Sequence, residues 1–283
     1  MRNAKNLRIT HYALRHMDFL SLPPPPADAR LAYGAGEFQF GDLRVPGGAG
    51  PHPALVVIHG GFWRARYNLL HIGHLCAALT ASGVATWSVE YRRLGNPGGG
   101  WPGTLQDVTT AAGHLRAIAP QYHLDLARVA AIGHSAGGHL ALWLAGCHCL
   151  KRGDPLFMAD PLPLVGAVSL AGVADLRRAW ELGLSSNVVE DFLGGTPRQV
   201  PERYASASPI ELLPLGVPQA LVHGTEDDSV PFEISTRYHA AALAAGDPVD
   251  LVALPGAGHF EVIDPRSQEW PAVVGAVRSV LGT

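Results

Sequence analysis

Short apolar segments recur at regular intervals along the chain. Residues 54–58 have no polar alternation and are rich in β-branched side chains, which is typical of a strand buried on both faces of a parallel sheet. Further segments of this kind lie at 85–90, 129–132, 165–170, 219–223 and 249–254. Helical patterns lie at 69–81, 105–118, 139–145 and 270–281. Strands that alternate with helices predict right-handed βαβ units, so we expect an α/β fold with a mostly parallel central sheet and helices on both faces.

Three other segments depart from this alternation. Residues 38–45 alternate apolar and polar positions and predict an antiparallel, half-exposed strand. Four prolines at 23–26 predict a stiff, extended spacer between an N-terminal arm of about residues 1–30 and the body. Residues 176–214 contain no clear strand and predict a small cap or lid insertion over the site, with a plain surface helix pair as the alternative. The whole chain, 1–283, is expected to form a single domain.

The pentapeptide Gly-His-Ser-Ala-Gly at 133–137 carries the first chemical signal. It lies between a predicted strand and a predicted helix, where a tight turn exposes the serine hydroxyl to a substrate carbonyl. The flanking glycines fit this turn because a Cβ would crowd the neighbouring backbone. We therefore predict that Ser135 is a nucleophile at the carboxyl end of a strand. A Gly/Ser turn without chemistry is the alternative.

A serine nucleophile needs a base, usually histidine, and a carboxylate that orients this base. Among 14 histidines, His259 lies in a flexible loop directly after the last predicted strand, so it is the candidate base. An acidic cluster follows the strand at 219–223, and Asp227 occupies the acidic position of the pattern H-G-x-x-D-x-x-V-P. Asp228 is the second candidate, whereas Glu226 is expected to be a solvated turn residue.

Donors for the developing oxyanion are expected from the segment His-Gly-Gly-Phe-Trp at 59–63. We assign the N–H groups of Gly61 and Phe62 to this hole, together with the N–H of Ala136. A structural Gly-Gly turn is the alternative. Trp63 and Trp101 are candidates for the substrate pocket, although core packing is equally compatible with each.

These motifs together resemble the α/β-hydrolase superfamily, and within it the esterases and lipases that carry an H-G-G motif. The form H-G-G-x-W is similar to that of kynurenine formamidases (arylformamidases), although Phe62 stands where these enzymes often have tyrosine. The resemblance extends over about residues 38–281. It implies an α/β-hydrolase fold with Ser135 as nucleophile, Asp227 as acid and His259 as base. The order of these residues in the chain is the one expected for that fold.

Composition limits the other function classes. The 283 residues have a net charge of −3 with both signs interspersed, which argues against nucleic-acid binding. Three cysteines are too few for a disulfide framework, and the absence of a signal-like or spanning apolar segment predicts a cytoplasmic protein without a membrane span. Neither the Cys147–Cys149 segment nor His71 and His74 have metal-site spacing, so no metal or cofactor is expected.

The functional prediction is a cofactor-free serine hydrolase that acts on small carboxylic esters or aryl formamides through an acyl-enzyme. Kynurenine formamidase proper is one alternative, and a non-catalytic binding protein on a hydrolase scaffold is another. The expected partner is a small-molecule ester or amide, and a homodimer is left open.

Overall fold

Eight strands form one sheet in the computed structural model, which describes residues 19–283. Their order across the sheet is β1-β2-β4-β3-β5-β6-β7-β8. The strands are β1 (Ala29–Ala32), β2 (Phe40–Arg44), β3 (His52–Ile58), β4 (Ala85–Val89), β5 (Leu124–His134), β6 (Ala167–Leu170), β7 (Gln219–Gly224) and β8 (Val249–Leu254). Strands β3 to β8 are parallel to their neighbours in this group, while β1 and β2 add an antiparallel edge. The predicted α/β class is therefore confirmed.

Helices cover both faces of this sheet. They are α1 (Gly73–Ala81), α2 (Gly103–Tyr122), α3 (Ala136–Gly146), α4 (Leu176–Glu181), α5 (Leu184–Leu193), α6 (Pro201–Ala207), α7 (Glu233–Ala245) and α8 (Trp270–Leu281). Leu55 and Val57 of β3 share a core with α1 and α8, while Val56 and Ile58 share the opposite core with α2, α3 and α7. Successive residues of β3 thus face different cores, which explains why this strand shows no polar alternation.

Two edge strands differ from the sequence-based expectation. Strand β1 was not predicted, because four residues with alternate exposure carry little hydrophobic signal. An ion pair from Arg30 to Asp42, with Nε and Oδ1 2.7 Å apart, links it to β2. Strand β8 is half-exposed along most of its length because it lies at the other edge of the sheet.

The insertion between β6 and β7 contains the helices α4, α5 and α6 and no strand. At the other end of the chain, residues 19–28 lie against the body, and the Asp28 N–H donates to the carbonyl of Leu43 at 2.9 Å. The earlier part of the predicted N-terminal arm lies outside the described residues. From residue 19 onward, no helix is both long enough and apolar enough to span a bilayer.

Candidate active site

The turn that joins β5 to α3 holds Ser135 in an unusual backbone conformation, with φ 57° and ψ −120°. Close backbone packing explains the glycines on either side of it. A Cβ at Gly133 would lie 2.0 Å from the Gly137 carbonyl oxygen, and a Cβ at Gly137 would lie 2.0 Å from the carbonyl oxygen of Ile58. Such conformations are retained where the surrounding structure enforces them, most often at functional sites.

His259 and Asp227 meet at the same edge of the sheet. The Nδ1 of His259 lies 2.7 Å from Oδ2 of Asp227, and both side chains are almost completely buried. Neither competing acid is buried, since Glu226 and Asp228 are exposed. Asp227 is therefore the member of the acidic cluster that can orient the imidazole.

Asp227 receives further hydrogen bonds that hold it as a carboxylate. Its Oδ1 accepts from the N–H groups of Ser229 and Val230, each at 2.8 Å, and Nε2 of His223 lies 3.0 Å from Oδ2. Burial by itself raises the pKa of Asp227, but the hydrogen bonds from His223 and His259 outweigh it, so the pKa lies below its usual range. Because an ionised Asp227 can only accept, Nδ1 of His259 is the donor in the hydrogen bond between them.

The segment after β3 brings backbone N–H groups to the serine. A Cβ at Gly60 would lie 3.0 Å from Cβ of Ser135, so the chain passes directly against this serine. Gly61, Phe62 and Trp63 all have positive φ, at 110°, 49° and 55°. Within residues 19–283, the N–H groups of Gly61 and Phe62 have no hydrogen-bond acceptor. The Ala136 N–H is the first of α3 and has no acceptor within the helix.

A buried ionic cluster of Glu90, His59 and Arg93 contacts the start of this segment. Oε1 of Glu90 lies 2.9 Å from Nε2 of His59 and 3.0 Å from Nη1 of Arg93. The same carboxylate accepts from the N–H groups of Leu69 and Tyr91, at 3.2 and 3.1 Å. Burial raises the pKa of Glu90, but attraction and hydrogen bonding from His59 outweigh this effect and lower it. Glu90 is thus a buried carboxylate attached to the first residue of the loop.

Two further histidines lie beside the candidate base. Nε2 of His134 is 2.8 Å from the carbonyl oxygen of His259, and its Nδ1 is 2.9 Å from Nε2 of His71. A carbonyl only accepts, so His134 donates from Nε2 and accepts at Nδ1 from His71. Burial lowers the pKa of His71 to about 3 and that of His134 well below its ordinary value, which keeps both rings neutral.

A cavity of about 650 Å³ opens at this site, and Ser135 and His259 lie in its wall. Its lining also includes Gly61 and Phe62 of the loop after β3. Residues 20–24 form part of the wall as well, whereas the sequence predicted an N-terminal arm and a proline spacer there, with no part in the site. The volume falls in the range of ordinary small-molecule pockets.

The structure corrects the predicted positions of Trp63 and Trp101, because neither lines this cavity. Trp63 is fully buried and stacks on Phe192 of α5, with ring centroids 4.5 Å apart. Trp101 lies under the guanidinium of Arg203, 4.4 Å from the ring centroid. No described lining residue comes from the 176–214 insertion, whose Phe192 packs against Trp63 of the loop after β3. A cap role for this insertion stays a prediction.

Sequence reasoning missed Glu90, His71 and the positioning contacts of His134 and His223. Glu90 had a readable signal, because it is a charged residue at the carboxyl end of a buried strand. His223 lies at the end of β7, four residues before Asp227, in the pattern already used to choose the acid. Across the described residues, no group of three or more His, Cys, Asp or Glu side chains is arranged to hold a metal ion.

A mostly parallel sheet covered on both faces, with a serine turn after β5 and a histidine loop after β8, defines an α/β-hydrolase fold. Residues 42–242 match the family model BD-FAE, and the chain belongs to this family. Among the solved structures that share the fold are two esterases. Esterase B from Lactobacillus rhamnosis is 19% identical with a TM-score of 0.79, over 98% of this chain and 94% of that one. A truncated carbohydrate esterase from gut microbiota is 21% identical with a TM-score of 0.76, over 92% of this chain and 98% of that one.

Curated relatives are named as esterases and as acylamino-acid-releasing enzymes. Esterase LipC of Mycobacterium tuberculosis is 31% identical over 89% of this chain. The acylamino-acid-releasing enzyme of Mus musculus is 27% identical over 86% of it. The matched regions span 63% and 34% of those two proteins. The resemblance to the α/β-hydrolase superfamily is thus confirmed, whereas the narrower resemblance to kynurenine formamidases stays a prediction.

Proposed function

We propose that this chain is a serine hydrolase that cleaves carboxylic esters through an acyl-enzyme. The observation that carries the proposal is the 2.7 Å contact between His259 and Asp227 beside a cavity that Ser135 and His259 both line. The esterase names of the relatives support the reaction class.

In the proposed mechanism, Nε2 of His259 takes the proton from Ser135 Oγ as this oxygen attacks the substrate carbonyl. Asp227 stabilises the resulting imidazolium and keeps its orientation. The N–H groups of Gly61, Phe62 and Ala136 receive the oxyanion of the tetrahedral intermediate. His259 then gives its proton to the leaving alcohol, and a water molecule, activated by the same base, cleaves the acyl-enzyme.

Aryl formamides are a second candidate substrate class, supported by the H-G-G-x-W motif at 59–63. The same nucleophile, base and oxyanion donors serve an anilide, which has a poorer leaving group than an activated ester. A side-by-side assay of N-formylkynurenine and short-chain p-nitrophenyl esters separates the two. Hydrolysis of the formamide at the uncatalysed rate would eliminate the formamidase alternative.

The central test uses Ser135→Ala with Ser279→Ala as the matched control, because Ser279 is exposed on α8. Ser135→Ala is expected to lower p-nitrophenyl acetate turnover by roughly three to six orders of magnitude and to abolish fluorophosphonate labelling. Ser279→Ala should retain both. An unlabelled native protein would favour a non-catalytic binding role, and an active Ser135→Ala protein would refute the assigned nucleophile.

A further inference from the structure

Exposed apolar side chains are concentrated at the mouth of the candidate active site. Among the described residues, four large hydrophobic side chains are strongly exposed: Leu22 at 52%, Tyr67 at 37%, Leu70 at 52% and Leu243 at 54%. The first three line the same cavity as Ser135. Scattered exposed hydrophobics are ordinary on protein surfaces, but a group of them beside a pocket marks a binding surface.

One side of this mouth is the segment of residues 20–24, here called the N-terminal wall. It is attached to the body by polar contacts on its backbone, because Nε2 of His74 donates to the Leu22 carbonyl at 3.2 Å. Just beyond it, Nη2 of the buried Arg44 donates to the Pro25 carbonyl at 2.8 Å. The wall also fits closely against α1, since a Cβ at Gly73 would lie 2.6 Å from Cβ of Pro24.

These anchors make the N-terminal wall a preorganised surface. Prolines have little backbone freedom to lose, and the carbonyl contacts fix the segment while its leucine side chains face outward or into the cavity. The lining of the same cavity also includes Tyr67, Leu70, Phe62 and Phe260. The guanidinium of Arg66 stacks over the Tyr67 ring, 4.8 Å from its centroid.

We propose that the N-terminal wall, Tyr67 and Leu70 form a subsite for an extended apolar group of the ester that Ser135 attacks. This inference rests on the proposed function, because the reacting carbonyl fixes one end of the ligand. Ser135 and these apolar residues line one cavity, and none of its described lining residues comes from the 176–214 insertion. The proposed subsite therefore makes the N-terminal wall and the 67–70 loop the parts of the protein that select substrates by the length of their apolar group.

The experiment compares Leu22→Ala and Leu70→Ala with Leu243→Ala, which removes a similarly exposed leucine outside the cavity lining. One substrate series varies the acyl chain, from p-nitrophenyl acetate to octanoate. The other varies the alcohol, from ethyl to octyl acetate. Each leucine substitution should expose to water some methylene groups of the bound chain that the native protein buries. In one of the two series, the ratio of kcat/KM for the eight-carbon over the two-carbon substrate should therefore fall roughly four-fold for each methylene group exposed in this way. The series that responds identifies which end of the ester occupies the subsite.

Leu243→Ala should leave both ratios unchanged. The proposal is overturned if Leu22→Ala and Leu70→Ala match Leu243→Ala in both series. A binding measurement separates this failure from failure of the proposed chemistry, namely titration of 1-octanol into the Ser135→Ala protein with and without Leu22→Ala. Weaker octanol binding upon the leucine substitution supports the subsite even if another residue is the nucleophile, whereas equal binding in both proteins overturns it.

Discussion

Replacement of Glu90 by glutamine tests how the loop that carries Gly61 and Phe62 is held. Glu90 is 2% exposed and its carboxylate pairs with both His59 and Arg93. Glutamine has the same shape and keeps one acceptor oxygen, but it removes the negative charge. Arg93, itself 3% exposed, then retains the carbonyl of Tyr67 as a partner but loses its counter-charge.

The expected cost follows from this burial. Loss of one partner from a buried ion pair costs about 3–5 kcal/mol, and the oxygen that glutamine keeps places Glu90→Gln near the lower end, at about 3 kcal/mol. A domain of ordinary stability stays folded after such a loss. His59 is the first residue of the loop, so weakening its contact with residue 90 should also displace the N–H groups of Gly61 and Phe62. The loss of a single oxyanion donor costs about 10²–10³ in kcat, so partial displacement should lower kcat by at least about ten-fold with little change in KM.

The assays are urea unfolding and p-nitrophenyl acetate kinetics well below the unfolding temperature. Asp160→Asn is the matched control, because its pair with Arg116 is at the surface, with side-chain exposures of 87% and 37%. That substitution should change the free energy of unfolding by less than about 1 kcal/mol and leave kcat alone. If Glu90→Gln loses stability while kcat stays at the native value, the ionic cluster does not position the loop and the reasoning fails.

Three further predictions concern other parts of the site. Gly137→Ala should cost several kcal/mol in urea unfolding and abolish activity, because its Cβ would lie 2.0 Å from a backbone carbonyl oxygen, whereas Gly275→Ala, which meets no atom within 4 Å, should be neutral or stabilising. His139→Gln should become less destabilising as the pH falls from about 6.5 to 4. Burial lowers the pKa of His139 to about 4, so in this pH range the histidine is protonated only in the unfolded state. The native protein should therefore lose on the order of 3 kcal/mol in its free energy of unfolding by pH 4, a loss that the glutamine variant avoids. A pH-independent difference between His139→Gln and the native protein would refute this. His134→Phe leaves the carbonyl of His259 without its donor, so it should lower kcat by about ten-fold and shift the pH profile of kcat/KM, and an unchanged profile would remove His134 from the positioning of the base.

The sharp turn at Ser135 could be predicted from the sequence because its constraints are local. The spacing of Gly133, Ser135 and Gly137 is dictated by steric contacts within one turn and with the neighbouring strand. The choice of Asp227 over Asp228 could also be made locally, from its distance to His223 at the end of β7. Both features depend on a few consecutive residues, so the spacing of these residues in the sequence predicts their geometry.

Features that depend on the direction of a side chain could not be predicted from the pattern of hydrophobic and polar positions. Trp63 points into the core because Phe62 and Trp63 both adopt positive φ, and no hydrophobic periodicity reveals such a reversal. The cavity wall at residues 20–24 is more than a hundred residues from Ser135 in sequence, and its proline content suggested only a spacer. Whether an insertion lies over a site or behind it is likewise decided by tertiary contacts such as the stack of Phe192 on Trp63.

The loop after β3 combines strain with support from two directions. Three successive residues with positive φ include two that are not glycine, and each such residue costs on the order of 1–3 kcal/mol. On one side, Glu90 holds His59, the first residue of the loop. On the other side, Phe192 of the insertion stacks on Trp63, the last one. A strained segment fixed at both ends presents its free N–H groups without reorganisation, which is what stabilisation of an oxyanion requires. The insertion between β6 and β7 therefore contributes to the candidate site as a brace for this loop, although it contributes no described residue to the cavity wall.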